Sequence, residues 1–120
     1  MQKRILVVDD DKMNLRRTSL ILEKQYDVLL TESGREALEK LKVETVDLIL
    51  LDIAMPGMSG IETFERIKEM GLEIPVIFLT ASGHEDNVMT AIRMGAANYI
   101  KKPFMPKRLL ERVEKEFEKE

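Results

Sequence analysis

The stretch Leu48-Ile49-Leu50-Leu51-Asp52-Ile53-Ala54-Met55-Pro56-Gly57-Met58-Ser59-Gly60 decides the fold. Four apolar residues in a row read as a strand buried on both faces, and the run stops at a single carboxylate. Pro56-Gly57 supplies a turn, and Ser59 can cap a following helix. In a parallel sheet this order sets Asp52 at the carboxyl edge, where open α/β folds bind ligands. Alone, Asp52 is better explained as a residue that starts a turn. The ends of the other strands decide the matter.

Upstream, Arg4-Ile5-Leu6-Val7-Val8 reads as a buried strand that runs into Asp9-Asp10-Asp11. A helical pattern then extends to about Gln25, with Leu15, Thr18 and Leu22 on one face and Arg16 and Arg17 on another. Asp27–Thr31 is a second strand, and Ala37, Leu38 and Leu41 form the inner stripe of a second helix. Downstream of the opening stretch, a helix from about Ser59 to Met70 carries Ile61, Phe64 and Ile67, with Gly71 as its stop. Val76-Ile77-Phe78-Leu79 is a fourth strand ending at Thr80, and Val88, Ala91 and Ile92 are the buried stripe of the helix that follows. Asn98-Tyr99-Ile100-Lys101 is a short, less apolar strand suited to a sheet edge. Lys102-Pro103 breaks it, and Leu109, Leu110, Val113 and Phe117 mark a last amphipathic helix. Strand and helix alternate five times, so the class is α/β, a doubly wound parallel sheet with helices on both faces.

At 120 residues, 44% hydrophobic and 34% charged, the chain suits one domain that buries a core. A net charge of −3 gives no broad basic face, so direct nucleic-acid binding is not expected. The absence of cysteine excludes disulfides, thiolate metal sites and cysteine nucleophiles. No signal peptide or bilayer-length apolar run is seen, and the expected location is the cytoplasm, with no membrane partner. Residues 1–120 are read as a single domain ending on its last helix, with no output domain.

Together the strand ends present Asp9 and Asp10, Asp52, Thr80 and Lys102 along one edge. Each has a bland explanation: the acidic run as helix caps, Thr80 as a β-branched strand end, Lys102 as a solvated charge. Their convergence is what those explanations leave out. Three adjacent carboxylates repel and call for a counter-charge, and a hard divalent cation suits their oxygens. With Thr80 and Lys102 to hold phosphoryl oxygens and a carboxylate as nucleophile, the set is suited to phosphoryl transfer.

The motifs VVDDD, LLDIAMPGMSG, FLTAS and YIKKPF resemble, in order and over nearly the whole chain, the receiver domain of bacterial two-component response regulators. The resemblance implies a strand order of 2-1-3-4-5 with five helices. It implies that Asp52 accepts a phosphoryl group from a sensor histidine kinase, a phosphotransfer protein or a small phosphodonor. Mg²⁺, or Mn²⁺ in its place, would be held by Asp9, Asp10, Asp52 and the Ala54 backbone carbonyl, Asp9 often through water. Lys102 would contact the phosphoryl group, and its bond to Pro103 would be cis. Thr80 would swing towards the phosphoryl group while Tyr99 turns inward, changing the face of helix four, strand five and helix five that binds a downstream protein target or output domain. The chain would act on itself alone and not as an enzyme on other molecules.

Three features depart from common receiver patterns. Small residues at Ala54 and Ser82 leave the phosphoryl lifetime open, and Ala96-Ala97-Asn98 lacks an acidic pair associated with one dimer mode. His84, the single histidine, reads as a solvated side chain near the start of helix four, and Met70 and Met94 as fillers of helix packing. Two rival readings stand beside the receiver. A haloacid-dehalogenase-type phosphatase shares the Asp, Mg²⁺, Thr and Lys, but leaves the Met55-Pro56-Gly57 turn and the Lys102-Pro103-Phe104 corner unexplained. A docking-only receiver-like module would keep the fold without the chemistry. A nucleotide-binding module is disfavoured, because carboxylates occupy the loop where phosphate-binding amides are needed.

Overall fold

A computed structural model describes residues 2–81 and 85–119. Strand and helix alternate throughout: β1 (Arg4–Val8), α1 (Lys12–Leu22), β2 (Asp27–Thr31), α2 (Gly34–Val43), β3 (Leu48–Asp52), α3 (Gly60–Glu69), β4 (Val76–Thr80), α4 (Glu85–Arg93), β5 (Asn98–Lys101) and α5 (Pro106–Glu118). The strands form one parallel sheet in the order β2-β1-β3-β4-β5.

Period-two alternation divides the apolar side chains between two cores. Leu6, Val8, Ile49, Leu51 and Phe78 face α2, α3 and α4, where they meet Ala37, Leu41, Phe64, Ile67, Val88 and Ala91. Ile5, Val7, Leu48, Leu50, Ile77 and Leu79 face α1 and α5, against Leu15, Leu22, Leu109 and Val113. Because both faces are covered, β1, β3 and β4 read as unbroken apolar runs and not as alternating ones. The edge strand β2 is only partly buried.

Local chemistry fixes the helix starts. The Asp11 carboxylate accepts from the amides of Met13 and Asn14, Ser33 Oγ from Glu36, and Ser59 Oγ from Glu62. Gly71, just beyond α3, has a φ of 79° that a residue with a Cβ adopts at a cost.

Some expectations need correction. The first helix stops at Leu22, not Gln25: the Glu23 amide bonds back to Ser19, and the Gln25 and Tyr26 amides both turn onto the Leu22 carbonyl, freeing the chain to enter β2. Ile92 is 40% exposed, so the buried stripe of α4 is Val88 and Ala91. Met70 is likewise exposed, whereas Met94 does pack partly against the core. Ser82 and His84 lie outside the described residues. Among the described residues, no helix is long and apolar enough to cross a membrane.

Candidate functional site

The sheet sends β1 and β3 side by side, with β2 and β4 on their outer flanks. From β1 the chain winds one way to β2, and from β3 the other way to β4. The crevice at this reversal is where Asp9, just past β1, and Asp52, the last residue of β3, come together. Oxygens of Asp9, Asp10 and Asp52 lie within 4.8 Å of one another. Asp9 and Asp52 are buried and Asp10 is exposed. Asp11, the third and last carboxylate of the Asp9-Asp10-Asp11 run, serves as the cap of α1 instead.

Lys102 reaches this cluster from the far side of the sheet. Its backbone amide donates to the Thr80 carbonyl at 2.7 Å, continuing the β4–β5 ladder by one residue. Its ammonium then lies 3.0 Å from Asp9 Oδ2 and 3.3 Å from Asp52 Oδ1. The other oxygen of Asp9 accepts the Asp11 amide at 3.0 Å, so both Asp9 oxygens are engaged within the protein. The Lys102–Pro103 peptide bond is cis.

Charge in the crevice is unbalanced. Burial above all, then the carboxylates of Asp9 and Asp10, push the Asp52 carboxyl up to about 6, although Lys102 works to lower it. Burial acts to lower the Lys102 ammonium, but its bond to Asp9 and the charges of Asp52 and Asp9 outweigh that, and its pKa is raised. One ammonium therefore serves two carboxylates, beside a third that is open to solvent. An all-oxygen group with excess negative charge and an exposed member fits a hard divalent cation that retains water.

Thr80 is buried, and its hydroxyl donates to the neighbouring Ala81 carbonyl at 3.1 Å. Tyr99 is 39% exposed on β5. Both line one hollow of about 270 Å³ with Val88, Met89, Ile92 and Lys101. Ala54 is exposed in the turn after β3, which is held to α3 by the Gly60 amide on the Ile53 carbonyl at 2.8 Å. Thus Asp9, Asp10, Asp52 and Lys102 are brought together, with Ala54 close in sequence, while Thr80 and Tyr99 share the adjoining hollow.

Sequence reasoning missed Arg17. Helical period sets it apart from the Leu15, Thr18 and Leu22 face, and there it is exposed, but its guanidinium donates to the Phe104 carbonyl at 2.7 Å and lies 5.3 Å from the Phe104 ring centroid. No sequence-local signal marks that contact, which joins residues 87 positions apart.

The family model for the response regulator receiver domain matches residues 5–114. The chain is 38% identical over 114 residues to the alkaline phosphatase synthesis transcriptional regulatory protein PhoP of Bacillus subtilis, covering 94% of this chain and 48% of that protein. It is 36% identical over 117 residues to the chemotaxis protein CheY of Bacillus subtilis, covering 96% and 98%. The crystal structure of a CheY-like response regulator receiver domain protein from Methanospirillum hungatei superposes with a TM-score of 0.93 at 34% identity, covering 99% of this chain and 96% of that one. The chain thus spans about half the length of relatives such as PhoP and nearly all of CheY. These matches give no support to the phosphatase alternative.

Proposed function

The chain belongs to the response regulator receiver domain family, and on that premise we propose that Asp52 is the phosphoacceptor of a two-component signalling step. The observation that carries the reading is the crevice itself: a buried carboxylate at the end of β3, bridged by Lys102 and flanked by Asp9 and Asp10. Asp9, Asp10, Asp52 and the Ala54 carbonyl would hold Mg²⁺ (or Mn²⁺), which supplies positive charge to the carboxylates and to incoming phosphoryl oxygens. Full engagement of both Asp9 oxygens supports a role for Asp9 through water, with Asp10 as the direct ligand.

In the reaction an Asp52 carboxylate oxygen attacks phosphorus. The new O–P bond forms as the bond from phosphorus to the donor breaks, either to the imidazole nitrogen of a phosphohistidine or to the acyl oxygen of a small phosphodonor. The leaving atom keeps the electron pair, and a departing imidazole takes a proton from solvent. Lys102, already 3.3 Å from Asp52, holds a phosphoryl oxygen as charge builds there. Thr80 exchanges its bond to the Ala81 carbonyl for one to the phosphoryl group, and Tyr99 moves into the hollow they share. The altered face of α4, β5 and α5 is then what a downstream target or output domain reads. Residues 1–120 form one receiver unit in this scheme, and chemistry is confined to Asp52 itself. Its donor is a sensor histidine kinase, a phosphotransfer protein or a small phosphodonor.

Intact mass after incubation with acetyl phosphate tests this. One Mg²⁺-dependent phosphoryl adduct is expected on the wild-type chain and none on Asp52→Asn. Steady release of phosphate from added esters, without an adduct, would sink the proposal in favour of a phosphatase. A folded chain that gains no adduct and releases no phosphate would leave only docking.

A further inference from the structure

We propose that Arg17 is a positioning residue for Lys102, acting through the Phe104 carbonyl; the inference rests on the phosphoacceptor reading of Asp52. The segment Lys102-Pro103-Phe104 carries the ammonium that spans Asp9 and Asp52, and it is pinned at both ends. At its start the Lys102 amide is bonded to the Thr80 carbonyl at 2.7 Å. At its end the Phe104 carbonyl accepts the Arg17 guanidinium at 2.7 Å, while the Phe104 ring is buried against the α1–α5 core with the guanidinium 5.3 Å from its centroid. Between these pins stands a proline, whose ring fixes φ. The clamp therefore restricts the backbone from which a long, flexible lysine stem must find two carboxylates.

Arg17 also forms a shared wall. It lines a cavity of about 390 Å³ with Asp9, Asn14, Thr18, Lys102 and Phe104, and it borders the open groove between α1 and α5 that contains Met13 and Leu20. A charged donor bonded to a neutral carbonyl is among the stronger single hydrogen bonds a loop can make. Losing it frees the corner without removing any group that touches the phosphoryl donor.

The test uses the full chain with Mg²⁺ and acetyl phosphate, following the initial rate of adduct formation by intact mass. Arg17→Ala is expected to slow the rate about tenfold, and Arg17→Lys, which keeps a cationic donor, to recover most of it. In a Lys102→Ala background, Arg17→Ala is expected to change the residual rate by less than about twofold, because the two act as a unit. Equal losses in both backgrounds, or an Arg17→Ala rate within about twofold of wild type, would overturn the proposal. The nitrogen-15 signal of the Lys102 ammonium is a second readout: displaced in Arg17→Ala if Arg17 positions Lys102, unmoved if Arg17 only staples α1 to the loop. It answers even where the Lys102→Ala rate is too slow to follow. An adduct missing from wild type, or surviving Asp52→Asn, would overturn the phosphoacceptor reading itself, while the ammonium signal would still report on Arg17.

Discussion

Asp52 is placed where its ionised form is disfavoured. Burial comes first, the neighbouring carboxylates of Asp9 and Asp10 add to it, and Lys102 offsets only part, leaving the carboxyl at about 6. The sign of the consequence follows from linkage. A carboxyl whose pKa is higher in the folded state binds its proton more tightly there than in the unfolded chain. Its contribution to stability therefore falls as pH rises from near 4 to about 6, and is level above that. Asp52→Asn removes this slope, and Lys102 keeps its partner Asp9 at 3.0 Å. In chelator, the variant should match wild type near pH 4 and exceed it at pH 7. Solvent screening at the mouth of the site limits the gain to about 1 kcal/mol, or roughly 4 °C in melting temperature. Thermal melts across pH 4 to 8 check this; a variant less stable than wild type at pH 7 would show that the Lys102–Asp52 pair outweighs the repulsion.

At the scale of elements, the site depends on how closely α3 is laid on the end of β3. A Cβ built on Gly60 would stand 2.2 Å from the Asp52 carbonyl oxygen and 2.8 Å from the Ile53 Cα, both backbone atoms that cannot rotate away. Gly60→Ala should therefore push α3 off β3, cost about 2–3 kcal/mol, and slow phosphorylation of Asp52 as well. Urea unfolding and adduct formation measure the two effects, and a cost under about 0.5 kcal/mol would mean that the turn relaxes freely. Elements were well marked in the sequence where burial on both faces gave unbroken apolar runs, as in β1, β3 and β4. Ser59 announced the start of α3 through its own hydroxyl. The end of α1 was not marked, because Glu23, Lys24 and Gln25 suit a helix as well as the turn they form. Ile92 was assigned inward by its spacing from Val88, yet it faces the hollow shared by Thr80 and Tyr99. Asp9, Asp10, Asp52, Thr80 and Lys102 were legible as strand ends, since a parallel sheet gathers all such ends on one edge. Arg17 was not, because its contact depends on how α1 and the loop after β5 pack, which no local period records.

For the whole molecule, the two cores lie on opposite faces of the sheet, while the carboxylates gather at one edge between them. Repulsion among Asp9, Asp10 and Asp52 is then a strain on the folded state that the unfolded chain does not share, since Asp52 is distant from the other two in sequence. A divalent cation that binds this folded edge, and not the separated residues, must stabilise the entire cooperative unit by mass action. At a hundredfold excess over its dissociation constant, Mg²⁺ should add about 2.7 kcal/mol, or roughly 10 °C in melting temperature. Asp10→Asn, which changes the exposed member and leaves the Lys102 pairs in place, should remove most of that shift while raising the melting temperature in chelator. A wild-type melting temperature that stays fixed from chelator to saturating Mg²⁺ would mean that Lys102 alone balances the carboxylates, and that the edge does not hold a cation.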